Sequence, residues 1–407
     1  MLQAKGGNLR YNHLPLNTFS EEWQGKSISE TILILTADVG FGHRRAAQAV
    51  EAALHELYDP QFNIVIADPF DDSDVPQLLK EIEQGYDDMV VSDPGLYRFS
   101  YNVTDTPAFA SFIQDVTAAA MHRAMKKLLA TYQPRAVIST YPAFTEAAFQ
   151  AGDALSQSAP ISVIVTDLVD VHSLWFHKRA DATFVPNGHV YKQALEHQLA
   201  KQHVFLSGLP VHPDFLREAG DKTTIRRALG WNTDLTTALI VGSPRSSHML
   251  SMAKLLDRSG LPLQLVVVSG GAADTYDALR MVQWQGATHI YGKVENIAEM
   301  MHAADFIICK AGGLIVSEAL ACGLPLVLYE ALPGQEAGNV RYIVENGAGV
   351  WAPGPVGALA AVYNWLTKDG DVLNKLRAGS AKAGRPQAAY DIAKTICEGL
   401  LVNKTDH

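Results

Sequence analysis

Short apolar runs alternate with longer stretches of helical spacing along this chain. Residues 31–36 (TILILT) form a continuous apolar run, the pattern of a strand buried on both faces. A glycine-bearing turn follows, then AAQAVEAALHEL, whose apolar positions recur every three to four residues as in an amphipathic helix. The next predicted strand is 62–67. Residues 69–134 read as mostly helical, punctuated at Asp93-Pro94-Gly95 and Thr106-Pro107. Strand patterns resume at 136–140, 161–166, 182–185 and 203–207. This βα alternation predicts an α/β fold with a parallel sheet covered by helices on both faces.

Gly208-Leu209-Pro210-Val211-His212-Pro213 breaks the rhythm, because two prolines and a glycine favour an extended connection. The alternation then restarts, with strands expected at 238–241, 263–269, 289–291, 306–309, 325–328 and 350–352. The prediction is two doubly wound, Rossmann-like domains: 1–207, a linker at 208–222, and 223–386. No sequence repeat relates the halves. Ligands of open α/β sheets bind beyond the carboxyl ends of the strands, so an interdomain cleft is the expected site.

Length agrees with that division, since 407 residues exceed one ordinary core. A net charge of −10 argues against a nucleic-acid partner, which would need clustered Lys and Arg. The three cysteines form no CxxC pair and suit a reduced, cytoplasmic protein, with Cys309 and Cys322 expected in the core. The N-terminus lacks the apolar segment of a secretory signal, and no run is long enough to span a bilayer. A soluble or peripheral protein is expected.

Four segments carry candidate chemistry. In Asp38-Val39-Gly40-Phe41-Gly42-His43-Arg44, between a strand and a helix, Gly40 and Gly42 allow a tight turn and close approach to a ligand. His43 is placed to take a proton from an acceptor hydroxyl or, alternatively, to cap the turn. The loop lacks GxGxxG and the P-loop Lys-Ser pair. In Lys310-Ala311-Gly312-Gly313, a strand runs into paired glycines at a helix start, a geometry that suits a diphosphate. Glu318, farther into that helix, is a candidate for the ribose hydroxyls. In the donor-binding segment that begins at Gly334, Gln335, Glu336 and Asn339 supply the dense donors and acceptors that a sugar requires. Asp167 follows a buried strand and either orients His43 or acts as the base itself. Trp175 and Phe176 are acceptor contacts or core. His172 and His177 lack the companions of a metal site. Asp71-Asp72-Ser73-Asp74 reads as a helix cap and surface loop. His122, Arg123, Lys126 and Lys127 lie on an amphipathic helix that either packs normally or touches a membrane.

TADVGFGHRRAAQAV, VTDLVDVHSLWFH, SGLPVHPDF, CKAGGLIVSEALACGLPLVL and LPGQEAGNV, in that order, resemble the monogalactosyldiacylglycerol synthase and processive diacylglycerol glucosyltransferase family. They are more distantly similar to the N-acetylglucosaminyltransferase that completes lipid II. The resemblance covers the chain from about Thr31 to its last helix. It implies a GT-B fold and inverting, metal-independent transfer of a hexose from a UDP-sugar to a diacylglycerol-type lipid. It implies no cofactor, contact of the N-terminal domain with the inner face of a membrane, and a last helix, 387–402, that crosses back onto that domain. The family's base matches His43, its ribose-binding Glu matches Glu318, and its sugar-binding Gln-Glu and Asn match Gln335, Glu336 and Asn339. Leu96-Tyr97-Arg98 and Tyr101 echo an acceptor segment of the family, alongside Gly40, Phe41, Gly42, Tyr141 and Trp175. The sequence departs from the family in three places. Gly242-Ser243-Pro244-Arg245 replaces a glycine-rich loop, with Arg245 and the serines left as phosphate ligands. Gly313-Leu314-Ile315 replaces the end of a KAGPGT motif, and Tyr141-Pro142 stands where a histidine is frequent. A nucleotide-sugar epimerase of the same fold and a catalytically silent sugar-nucleotide-binding protein are the alternatives.

Overall fold

The computed structural model describes residues 30–38, 42–77, 79–81, 107–216, 220–244, 246–332, 336–367 and 371–401. Among them, twelve strands form two six-stranded parallel sheets. The first contains β1 (Glu30–Leu35), β2 (Phe62–Ala67), β3 (Ala136–Ser139), β4 (Ile161–Ile164), β5 (Ala182–Val185) and β6 (Val204–Leu206). The second contains β7 (Thr236–Val241), β8 (Leu263–Val268), β9 (Thr288–Tyr291), β10 (Phe306–Lys310), β11 (Leu326–Glu330) and β12 (Gly349–Trp351). Each run expected as a strand forms one, with ends shifted by at most two residues. His203, expected at the start of β6, instead lies in a 3-10 turn.

The helices that matter here are α1 (Gly42–Tyr58), α2 (Pro107–Tyr132), α3 (Phe144–Leu155), α4 (Gly188–Glu196), α5 (Lys222–Ala228), α6 (Met249–Asp257), α7 (Ala273–Arg280), α8 (Ile297–Ala303), α9 (Gly313–Ala321) and α10 (Ala337–Glu345). They are followed by α11 (Gly354–Thr367), α12 (Val372–Ala383) and α13 (Ala388–Lys394). No helix among the described residues is long and apolar enough to cross a membrane. The expected punctuation at 93–95 lies outside the described residues.

Strand order explains where a ligand can sit. The first sheet runs β2-β1-β3-β4-β5-β6 and the second β12-β11-β10-β7-β8-β9. The chain therefore reverses direction between β1 and β3 in one sheet and between β7 and β10 in the other. Crevices of this kind open beyond the carboxyl ends of the strands at such reversals. The loops bordering them begin after Leu35, Ser139, Val241 and Lys310.

The strands read as unbroken apolar runs because both faces are covered. One face of the first sheet packs on α1, α13 and the helical turn that continues it (Thr395–Leu401), through Val50, Leu54, Ile392 and Ile396. The other packs on α2 and α3, through Met121, Met125 and Phe144. The last described helix thus lies on the first sheet, and each fully buried isoleucine there contributes about 1.5–3 kcal/mol. Gly208 lets the return pass: its φ is +97°, and a Cβ there would stand 2.4 Å from the Arg385 side chain. The second sheet is covered likewise, and its core also takes in Leu168 and Val169 from the first half and Phe215 from the linker.

One local choice runs against propensity. The first turn of α1 contains no acidic residue and carries Arg44 and Arg45. Cations at the positive end of a helix cost roughly 0.3–1 kcal/mol each. Arg44 lies 3.7 Å from Asp38, and Arg45 reaches Glu318 in the other half.

Candidate functional site

His43 is the second residue of α1, at the carboxyl edge of the first sheet. Register pairs Leu35 with Ser139 and Ser139 with Val163, so the residues after β1, β3 and β4 share that edge. Nδ1 of His43 lies 2.9 Å from the Thr140 carbonyl oxygen and 2.7 Å from Thr166 Oγ1. A carbonyl oxygen can only accept, so Nδ1 carries the proton and donates it. In the neutral ring the lone pair then lies on Nε2. Tyr141 meets the ring edge-on at 5.0 Å, and Trp175 lies 5.9 Å away.

Asp167 follows β4, and its Oδ2 accepts from the Trp175 indole N–H at 2.7 Å. Trp175 is only 1% exposed. An acceptor could not touch it in this conformation, and its indole holds the loop that carries Asp167. Tyr141 is half-buried, packed against His43, Phe70 and Phe144. His177 pairs with Glu146 at 2.6 Å and stacks on Phe149, while His172 caps a 3-10 turn. Among the described residues, no group of three or more His, Cys, Asp or Glu is placed to hold a metal.

Opposite this edge stands the carboxyl end of β10. Lys310 ends the strand, Gly312 caps α9, and Gly313 opens the helix. Lys310 Nζ lies 3.5 Å from Glu336 Oε1, and Glu336 Oε2 accepts from the Leu332 amide at 2.6 Å. Burial pushes the Glu336 carboxyl up, and Lys310 pulls it back. Asn339 donates to the Ala311 carbonyl at 2.8 Å, which leaves its Oδ1 buried without a hydrogen-bond partner. Glu318 is 3% exposed. Its Oε1 meets Arg45 at 3.3 Å, and its Oε2 is likewise buried and unpartnered. Burial raises its pKa to about 7 against the pull of Arg45. Unsatisfied oxygens of this kind are what hydroxyl ligands complete.

The loop after β7 is closed on itself. The Gly242 amide donates to Val268, the Ser243 amide to Ser246 Oγ, and Ser246 N to the Ser243 carbonyl. Ser247 donates from N and Oγ to Glu330. The amides of Gly242 and Ser243 are thus engaged within the protein. Met249 Cε occupies the position of a Gly242 side chain, 1.9 Å from where a Cβ would be.

Two more contacts cross the cleft. Asp170 accepts from the Gly338 amide at 2.8 Å and from Arg341 at 3.1 Å. A Cβ on Gly338 would stand 2.7 Å from that carboxylate, so the close approach requires glycine. A Cβ on Gly313 would meet Leu168 at 3.5 Å. The structure therefore gathers His43, Asp167, Lys310, Gly312, Gly313, Glu318, Glu336 and Asn339 around one cleft, with Gly42 at the start of α1. Gly40, Phe41, Tyr97, Tyr101, Arg245, Gly334 and Gln335 lie outside the described residues. Sequence reading missed Arg45, Thr140, Thr166 and Asp170. A doubled arginine in the first turn of a helix was the one visible signal among them.

Residues 43–211 match the family described as monogalactosyldiacylglycerol (MGDG) synthase, and residues 221–385 match glycosyl transferases group 1. The chain is 30% identical over 385 residues to monogalactosyldiacylglycerol synthase 3, chloroplastic, of Arabidopsis thaliana, covering 92% of this chain and 82% of that one. It is 29% identical over 377 residues to the monogalactosyldiacylglycerol synthase of Spinacia oleracea, covering 90% and 72%. Its fold is similar to that of MnaA from S. aureus, solved with UDP, with a TM-score of 0.60 at 14% identity over 91% of this chain and 97% of that one. It is also similar to MurG of Acinetobacter baumannii, with a TM-score of 0.54 at 14% identity over 91% and 99%. Two Rossmann-like halves facing a cleft are the GT-B arrangement, and the chain belongs to the monogalactosyldiacylglycerol synthase family.

Proposed function

We propose that the protein transfers a hexose from a UDP-sugar to the hydroxyl of a diacylglycerol-type lipid, with inversion and without a metal ion. The observation that carries this reading is the pairing of a histidine fixed for base work on one wall with two orphaned, buried oxygens on the other. His43 Nε2 takes the proton of the acceptor hydroxyl, and the hydroxyl oxygen attacks the anomeric carbon. The bond to the phosphate oxygen then breaks, and UDP leaves with the negative charge. The positive end of α9 faces that charge, as does Lys310 at the end of β10. Glu318 accepts from the ribose, while Glu336 and Asn339 face the sugar.

Membership of a family whose named relatives are monogalactosyldiacylglycerol synthases supports the lipid acceptor. On α2, Phe112 is 62% exposed and Val116, one turn on, is 51% exposed. They form an apolar pair suited to resting on a lipid surface. The stereochemistry supplies the test. With a UDP-α-hexose and diacylglycerol vesicles, the lipid product should carry a β-linked sugar by NMR, in the presence of EDTA as in its absence. An α-linked product, or activity lost with EDTA and restored by a divalent cation, would overturn the inverting, metal-free mechanism.

A further inference from the structure

The carboxylate of Glu318 is divided between two environments. Oε1 lies 3.3 Å from an Arg45 guanidinium nitrogen, contributed by α1 of the opposite half. Oε2 is buried and has no hydrogen-bond partner. Arg45 is half-exposed, at 46% for its side chain, against 4% for Glu318. Glu318 thus has little water to stabilise its charge and depends on a cation that reaches across the cleft. That cation stands in the first turn of a helix, where the backbone dipole opposes it. It lies two residues from His43, so one turn of α1 serves both walls of the cleft.

We propose that Arg45 is a positioning residue of the nucleotide site: it holds Oε1 of Glu318 and favours the charged carboxylate, leaving Oε2 for a ribose hydroxyl of the donor. This rests on the reading of Glu318 as the ribose acceptor given above. A charged carboxylate binds a hydroxyl more tightly than a protonated one. Burial alone drives Glu318 toward the protonated form, and Arg45 opposes it. Among the described residues, the other titratable groups coupled to Glu318 are Cys309 of β10 and Cys322 just beyond α9, with His302 of α8 3.8 Å from Cys322. Burial pushes both thiols up, to about 12 for Cys322, so they stay neutral near pH 7. Burial also lowers the pKa of His302, which keeps that ring neutral. Arg45 is then the cation that sets the charge of Glu318. The donor site in the C-terminal half is complete only when the N-terminal half closes on it.

The test is calorimetric binding of UDP-glucose, whose diphosphate has no proton that titrates near neutrality, from pH about 6 to about 9. Wild type should bind more tightly as pH rises through a midpoint near 7, where Glu318 ionises. In Arg45→Ala that midpoint should move up by about one unit, and affinity at neutral pH should fall about fivefold and recover at alkaline pH. Half-exposure of the guanidinium keeps the shift this small. Arg45→Lys should restore the wild-type profile, and Glu318→Gln should bind weakly at every pH. If Arg45→Ala kept the wild-type midpoint and affinity while Glu318→Gln was weakened, Arg45 would have no part in the site. A pH-independent loss in Arg45→Ala, unrescued by lysine, would reduce it to a closing contact and overturn the proposal. Wild-type binding by Glu318→Gln would remove the ribose role itself, and absence of binding by wild type would overturn the donor reading as a whole.

Discussion

Nδ1 of His43 lies 2.9 Å from the carbonyl oxygen of Thr140, and that contact decides which ring nitrogen can act as a base. The carbonyl belongs to the residue after β3, beside the strand that leads to His43. The tautomer is therefore set by a backbone group held in sheet register, with Thr166 Oγ1 sharing the same nitrogen at 2.7 Å. Replacing the ring should remove base catalysis and leave the nucleotide wall intact. His43→Ala is expected to lower kcat by about 10²–10⁴ with UDP affinity unchanged. A joint loss of UDP binding, read by calorimetry, would contradict the role.

Glu318 should behave in the opposite way. Glu318→Ala removes an acceptor from the ribose and should weaken UDP binding by about 1–3 kcal/mol, the range for a lost charged hydrogen bond. The expected result is a higher KM for the donor with a smaller change in kcat. Unchanged UDP affinity would remove Glu318 from the nucleotide site.

Asp170 ties the two walls together through the Gly338 amide and Arg341. The two bonds are unequal. Arg341 is 62% exposed, so its pairing is screened and worth little. The amide bond is charge-assisted and fixes the helix that carries Asn339. Arg341→Ala should thus be near neutral, and Asp170→Ala should lower kcat/KM by about tenfold, a modest misplacement of groups across a cleft. Equal effects from the two variants would show that the amide contact does not position the loop.

Stability should depend on a different carboxylate. Asp305 Oδ2 bonds the guanidinium of the buried Arg226 at 2.7 Å and the Thr237 amide at 2.8 Å, joining α5 to the second sheet. Burial alone would raise the Asp305 pKa, but the Thr237 amide, Lys222 and Arg226 outweigh it and hold the group below its usual range. A depressed acid adds stability that is present above its unfolded value, about 3.9, and is lost as pH falls through the folded value. Asp305→Ala leaves Arg226 buried and uncompensated, and should cost about 3 kcal/mol in denaturant unfolding. The deficit should shrink in acid, where wild type loses the same contribution.

Most of this architecture was legible in the sequence. LQLVVV reads as a strand buried on both faces, and Lys310-Ala311-Gly312-Gly313 between a strand and a helix has the pattern of a ligand loop. The contacts between halves were not legible. Arg45 and Glu318 are 273 positions apart, and nothing in local spacing tells an arginine bound for the opposite wall from one facing solvent. Trp175 was open to both readings, since an aromatic after a strand fits a core or a ligand wall; Asp167 and the sheet take it into the core. The serines at 243–247 suggested a phosphate loop, yet hydroxyls so close together also satisfy each other and Glu330.

The measurement that bears most directly on the central claim is a transfer assay with purified protein, diacylglycerol vesicles and a panel of UDP-sugars, with lipid products read by mass. The expected result is diacylglycerol carrying one hexose from one preferred donor, lost in His43→Ala. Release of UDP with an epimerised free sugar and no glycolipid, or the same lipid product from His43→Ala at the wild-type rate, would contradict it.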